Sequence, residues 1–173
     1  MASVGFIQSE LDLKLLVLYI MSRTAGPITF LQLLELALCD AGVDYFSLTQ
    51  VVDHMVATGQ LTREDERYTI TEKGRRNSEI CESSLPYSVR MHCDENLVKV
   101  NDALREEAQV QTKTVKNEDG TYTLHLQLND ISTPLLRLEL LVPTWDEAAS
   151  MSRRFRADPA GFYGKVSQLL FTP

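Results

Sequence analysis

Four polar residues in a short amphipathic segment have the types and spacing that could contact a nucleic acid. Ser47, Gln50 and His54 fall on one stripe of a helix predicted over about residues 45 to 58, and Thr49 lies beside them. A glutamine side chain can pair with two edge atoms of adenine, and serine or threonine hydroxyls can contact bases or phosphates. The pattern therefore fits contact with a DNA major groove, and it equally fits a solvated helix face with a structural role.

Five cations that could meet DNA phosphates follow in the next stretch of the chain. They are Arg63, Arg67, Lys73, Arg75 and Arg76. The predicted helix itself contains no Lys or Arg, and the acidic stretch 64–66 would repel phosphates. The chain has a net charge of −7, of which residues 1–84 contribute −5. Because phosphate neutralisation supplies most non-specific affinity for DNA, this balance opposes DNA binding and favours the alternative of a protein-interaction module.

Residues that could support catalysis or hold a metal ion are scattered along the sequence. His92 and Cys93 are neighbours, so their side chains point apart on a helix and cannot form a nucleophile–base pair. His54 and His125 are distant from both, and neither Cys-x-x-Cys nor His-Glu-x-x-His spacing occurs. The 8 glycines form no phosphate-binding loop. We therefore predict that the protein is not an enzyme and has no cofactor or metal site.

Four helices and one hairpin in residues 1–84 are predicted to position the polar stripe. Ser9 caps a helix to about residue 23, Thr29 caps a second to about residue 40, and Thr71 opens a fourth after the hairpin of 60–63 and 67–70. The predicted apolar faces are Leu31, Leu34 and Leu38 for the second helix, and Phe46, Leu48, Val51, Val52, Met55 and Val56 for the third. Residues 15–21 are apolar all round, so the first helix should be covered on more than one side, which is one ground for a dimer.

The second half of the chain predicts a helix, a meander and two more helices. The helix spans about 87–107, the strands 109–116, 121–128 and 135–142, and the last helices about 145–156 and 160–170. The turns are Asn117–Gly120 and Asn129-Asp130. The expected fold class is α+β, with an N-terminal winged helix-turn-helix domain in residues 1–84. Residues 85–173 are expected to hold a connecting helix and a three-stranded antiparallel meander with two helices, used for dimerisation or sensing.

The hairpin region resembles the wing of MarR-like and PadR-like regulators. The resemblance lies in Gly59-Gln60-Leu61-Thr62-Arg63 and Tyr68-Thr69-Ile70-Thr71-Glu72-Lys73-Gly74-Arg75, and the likeness extends over about residues 9–82. The whole chain is similar to an uncharacterised family of winged-helix proteins from mostly clostridial Gram-positive bacteria. The residues that carry this similarity are 16–20, 27–29, 45–48, 68–74 and 85–90. The resemblance implies a winged helix and a role in regulation.

Composition and cysteine content predict the cellular setting. Among 173 residues, 44% are hydrophobic and 24% are charged, which is typical of a globular protein. The longest apolar run, residues 15–21, is too short to span a bilayer, and 3 scattered cysteines do not form a disulfide framework. We predict a cytoplasmic protein without membrane contact. Its expected function is that of a homodimeric winged-helix regulator that binds double-stranded DNA, the alternative being a module that binds a protein partner.

Overall fold

The computed structural model describes residues 5–130 and 133–171. The helices are α1 (Glu10–Arg23), α2 (Phe30–Ala37), α3 (Tyr45–Ala57), α4 (Glu72–Cys81), α5 (Tyr87–Gln109), α6 (Trp145–Ala157) and α7 (Pro159–Phe171). The strands are β1 (Ile28–Thr29), β2 (Leu61–Glu64), β3 (Arg67–Ile70), β4 (Val110–Lys116), β5 (Tyr122–Asp130) and β6 (Thr133–Val142). The α+β class is confirmed. None of these helices combines the length and apolarity needed to cross a bilayer.

The chain divides into two compact units between Leu104 and Arg105. Unit 1 contains α1 to α4 with a sheet in the order β1-β3-β2, and unit 2 contains an antiparallel sheet in the order β4-β5-β6 with α6 and α7. Val89, Cys93 and Leu97 of α5 are buried in the core of unit 1. The predicted division into a domain of residues 1–84 and a domain of residues 85–173 stays a prediction.

Side-chain caps begin most helices of unit 1 at the predicted residues. Ser9 accepts a hydrogen bond from the backbone N–H of Asp12, and the Asp12 carboxylate accepts one from Ser9 in return. Thr29 and Gln32 make the same reciprocal pair at α2. These caps satisfy N–H groups that have no partner inside the helix, and therefore local sequence alone sets where the helices start.

Helix α1 is the central element of unit 1. Leu13 and all residues from Leu16 to Met21 are buried, and α1 packs against α2, α3, α4 and β3. The prediction that this helix is covered on more than one side is confirmed. Its apolar surface is covered within the same chain, so the pattern gives no support to a dimer.

Helix α2 buries a different face from the predicted one, although the predicted Leu34 is half-buried and packs against the core. Leu33, Leu36 and Ala37 are buried, whereas Leu31 and Leu38 are 64% and 56% exposed. The sequence places leucines all around these two turns, so its spacing does not identify the inner face. The helix also ends at Ala37, earlier than the predicted residue 40.

Helix α3 largely follows its prediction. Leu48, Val51, Val52 and Met55 are buried, and Val56 is half-buried. Phe46 was predicted to be buried and is 77% exposed, because it lies on the outer side of the first turn. Its ring meets the Tyr45 ring edge-on at a centroid distance of 5.7 Å.

The hairpin of unit 1 lies beside α3. Leu61 pairs with Ile70 and Glu64 with Arg67, so Asp65 and Glu66 form a two-residue turn. β3 also pairs with β1 through Ile28 and Tyr68, which fixes the hairpin to the segment between α1 and α2.

Unit 2 has a small core on one face of its sheet. Leu124, Leu126 and Leu128 alternate along β5 and are buried together with Phe155 of α6. The predicted turn at Asn129-Asp130 is wrong, because both residues continue β5 and pair with Pro134 and Thr133 after a register shift at residue 128. Residues 131 and 132 lie outside the described residues.

Candidate nucleic-acid interface

The outward side of α3 displays the polar stripe. Ser47, Gln50 and His54 are exposed, whereas Thr49 is half-buried and donates its hydroxyl proton to the Tyr45 carbonyl at 2.8 Å. Asp44 caps the helix by accepting from the backbone N–H of Phe46 and Ser47, both at 3.0 Å. Hydrogen bonds from Ser47 hold the pKa of Asp44 below its usual value, so the N-terminus of α3 carries a carboxylate. Two side chains, Ser47 and Gln50, are thus available for contact with bases.

His54 lies beside the start of α1. Its Nδ1 is 3.5 Å from the Glu10 carboxylate, which also forms an ion pair with Lys14 at 2.6 Å. The hydrogen bond from Lys14 is the main cause that lowers the pKa of Glu10, with a smaller contribution from His54. The imidazole therefore faces a carboxylate, and it is a weaker candidate for phosphate contact than the sequence implies.

A polar cavity of about 290 Å³ adjoins the N-terminal half of α3. Ser9, Glu10, Asp44, Ser47 and Gln50 contribute its polar walls. With two carboxylates and no Lys or Arg among its lining residues, this cavity suits an amine, an amide or water rather than a phosphate.

The hairpin cations are engaged within unit 1. Arg63 forms an ion pair with Glu66 across the turn, which raises the pKa of Arg63, and its guanidinium lies 5.7 Å from the Tyr68 ring centroid. Arg67 donates to the Pro27 carbonyl at 3.2 Å. Contact with phosphates would require both side chains to exchange these partners.

The three cations of α4 differ in their surroundings. Lys73 donates to the Thr58 carbonyl at 2.8 Å and so stabilises the C-terminal end of α3. Arg76 pairs with Glu72 at 3.4 Å. Arg75 is exposed and has no ion pair among the described residues, which makes it the most available cation of the predicted set.

The predicted contact residues therefore form two groups. Ser47 and Gln50 lie in the first half of α3, whereas Lys73 lies at its far end, about 16 Å away for a rise of ~1.5 Å per residue between Ser47 and Thr58. Thr71 links α4 to this end, because its hydroxyl contacts the Gly59 carbonyl at 2.7 Å. Unit 1 contains 9 basic and 15 acidic residues, a net charge of −6, so few cations remain for an anionic partner.

The hairpin turn offers a direct test of this charge arrangement. Asp65 and Glu66 have φ values of 47° and 62°, which correspond to the left-handed region where glycine is favoured. We expect Glu66→Gly to stabilise unit 1 by about 0.5–1 kcal/mol and to release Arg63 from its ion pair. Urea unfolding followed by circular dichroism measures the change.

Thr62→Gly, on the adjacent strand, is the matched control for the Glu66→Gly substitution. Thr62 lies in β2, where glycine weakens a strand, so this variant should lose stability. A loss of stability in Glu66→Gly would contradict the claim that the left-handed backbone of Glu66 is strained.

One protein-family model matches most of this chain. The model described as Domain of unknown function (DUF4364) matches residues 13–170. The chain belongs to this family. No curated protein and no solved structure matches it. The predicted similarity to a family of unknown function is confirmed over most of the chain, whereas the winged-helix and clostridial assignments stay predictions.

The stretch matched by the DUF4364 model includes every residue of the polar stripe and every candidate cation. It also includes a pair that sequence reasoning missed, Cys39 and Cys93, whose Sγ atoms lie 2.7 Å apart. The two residues are 54 positions apart, and no local pattern joins them. Among the described residues, no three His, Cys, Asp or Glu side chains cluster as metal ligands.

Proposed function

We propose that unit 1 is a winged helix and that the protein regulates transcription by binding double-stranded DNA as a homodimer. One observation carries this proposal, namely the arrangement of α1, β1, α2 and α3 followed by the β2–β3 hairpin, with sheet order β1-β3-β2. It leaves one side of α3 exposed next to a hairpin, and an exposed helix of this kind can enter a major groove of ~12 Å.

The chemistry assigns different roles to the two groups of residues. Gln50 and Ser47 are the base-contacting pair, since they are exposed and have no negative charge that DNA phosphates would repel. Arg63, Arg67, Lys73, Arg75 and Arg76 supply phosphate contacts, with Thr49 and His54 at the edge of the contact. Because most of these cations already have partners within unit 1, we expect only about one or two phosphate contacts per subunit. A dimer would then make about two to four such contacts and show a correspondingly weak dependence on salt.

The proposed dimer is inferred from the two-fold symmetry of DNA sites that regulators bind, and not from the apolar surface of α1. Two-fold DNA half-sites match a two-fold protein, and residues 85–173 are the proposed dimerising or sensing part. In this proposal the protein has no enzymatic activity, cofactor or metal, and it acts in the cytoplasm.

A protein-interaction module is the second candidate function. It is favoured by the net charge of −6 in unit 1 and by the pairing of Arg63 and Arg76 with carboxylates. Tyr45 and Phe46 at the exposed start of α3 are 54% and 77% exposed, and aromatic side chains are enriched in protein interfaces.

Fluorescence anisotropy against the protein's own upstream DNA and a scrambled duplex tests the main proposal. We expect preferential binding to the upstream DNA that weakens roughly 10- to 150-fold between about 50 and 200 mM salt. Gln50→Ala should lower affinity for the upstream DNA by about 5- to 150-fold and leave the scrambled duplex unaffected. Arg67→Ala should weaken binding to both.

Asn96→Ala removes an exposed amide from α5 of the same unit and serves as the matched control, with no expected change. Absence of binding to either duplex at low salt would overturn the DNA proposal and favour the protein-interaction candidate. Equal losses for Gln50→Ala on both duplexes would overturn the base-contacting role of Gln50.

A further inference from the structure

Two thiols of unit 1 lie face to face. Cys39 follows α2, and Cys93 lies in the first half of α5, with their Sγ atoms 2.7 Å apart. This separation is about 0.7 Å longer than the ~2.05 Å of a disulfide bond, so a small movement brings the sulfur atoms to bonding distance. Both residues are free thiols in the structure.

The two thiols differ in exposure and acidity. Cys93 is fully buried, whereas Cys39 is half-buried and lines an open surface pocket of about 420 Å³ with Phe6, Asp40 and His92. Hydrogen bonding from Cys93 lowers the pKa of Cys39, and the same contact, together with burial, raises the pKa of Cys93. A reagent entering from solvent therefore meets Cys39 first, and Cys39 is the better thiolate.

From this juxtaposition we propose that Cys39 and Cys93 form a thiol–disulfide exchange site that reacts with low-molecular-weight disulfides. The Cys39 thiolate attacks one sulfur of the small disulfide, and the sulfur–sulfur bond of that molecule breaks as the mixed disulfide forms. The first small thiolate leaves and takes up a proton. Cys93 then loses its proton and attacks Sγ of Cys39, which expels the second small thiolate. The two cysteines are oxidised by two electrons, and one small disulfide is reduced to two thiols.

The new bond would join α5 to the turn that leads into α3. Asp40, next to Cys39, is buried and accepts backbone hydrogen bonds from Phe6, Ile7 and Gly42 at 2.8 to 3.2 Å. Asp44, four residues further on, caps α3. Oxidation therefore fixes the segment that sets the start of α3 and restricts the unfolded chain by a loop of 54 residues.

The full-length protein is equilibrated with mixtures of reduced and oxidised glutathione, then denatured and titrated for thiols. The 3 thiols of the reduced protein should fall to one, and peptide mapping without reductant should recover a linked peptide containing Cys39 and Cys93. The oxidised protein should unfold at a temperature roughly 5–15 °C higher than the reduced protein.

Cys81→Ser is the matched control, because Cys81 lies on α4 and should not change the linked peptide. Cys39→Ser should abolish the linkage. Cys93→Ala should abolish it as well, and alanine is used there because it is small and apolar and suits a fully buried position. Retention of 3 thiols at every glutathione ratio would overturn the proposal. A linkage that involves Cys81 or joins two chains would overturn it as well.

Discussion

Replacement of Phe155 by alanine is expected to lower the free energy of unfolding of unit 2 by about 3–5 kcal/mol. Phe155 is 1% exposed, and its ring meets Phe162 edge-on at 5.2 Å. The core that it fills contains few other buried side chains, so few neighbours can move to fill the cavity that alanine leaves. The loss approaches the whole stability of a unit of this size.

Trp145 provides the measurement, because it is the single tryptophan and packs against Tyr122 of β5 at 5.9 Å. In urea, the transition reported by Trp145 fluorescence should shift to lower concentration by at least about 1 M. Met151→Ala, on the exposed side of the same helix, should leave this transition within about 0.5 kcal/mol of the unchanged protein. If the two variants shift the transition equally, Phe155 does not support the unit 2 core.

Gly74→Ala is expected to lower the free energy of unfolding of unit 1 by about 2–3 kcal/mol. A Cβ atom at this position would lie 2.3 Å from the Gln60 carbonyl oxygen and 2.8 Å from Cγ1 of Ile70. The carbonyl belongs to the backbone that joins α3 to β2, so no side-chain rotation relieves the contact. This overlap exceeds the gain of about 1 kcal/mol that alanine brings to a helix interior.

Thermal unfolding followed by far-ultraviolet circular dichroism measures the loss, with Gly26→Ala as the control. A Cβ atom at Gly26 meets nothing within 4 Å, so this variant should stay within about 0.5 kcal/mol of the unchanged protein. A stabilised Gly74→Ala protein would show that α4 can move away from Gln60.

The starts of helices and the hairpin of unit 1 were predictable because local chemistry determines them. Ser9, Thr29 and Thr71 act as caps through their own hydroxyl groups, as their residue types predict. The inner face of α2 was not predictable, because leucines surround it and tertiary packing, not spacing, selects Leu33 and Leu36 for the core. The Asn129-Asp130 turn signal was likewise overridden by pairing with β6.

Sequence spacing identified the polar residues of α3 but not their partners. Nothing local to His54 indicates that Glu10 faces it, and nothing local to Lys73 indicates that it caps α3. The Cys39–Cys93 pair escaped notice for the same physical reason, since only the tertiary fold brings the residue after α2 next to the first half of α5. Residue type could be read along the chain, whereas the availability of each charge depended on tertiary contacts.

The central position of α1 has a consequence for synthesis of the protein on the ribosome. The segment from Leu16 to Met21 is made before α2, α3 and α4, which cover it and are complete only when Cys81 has been added. At ~5–20 residues per second, a strongly apolar helix waits for roughly 3–12 s without its partners. During that interval the nascent chain is a substrate for chaperones that hold exposed apolar segments, and it is then most exposed to aggregation.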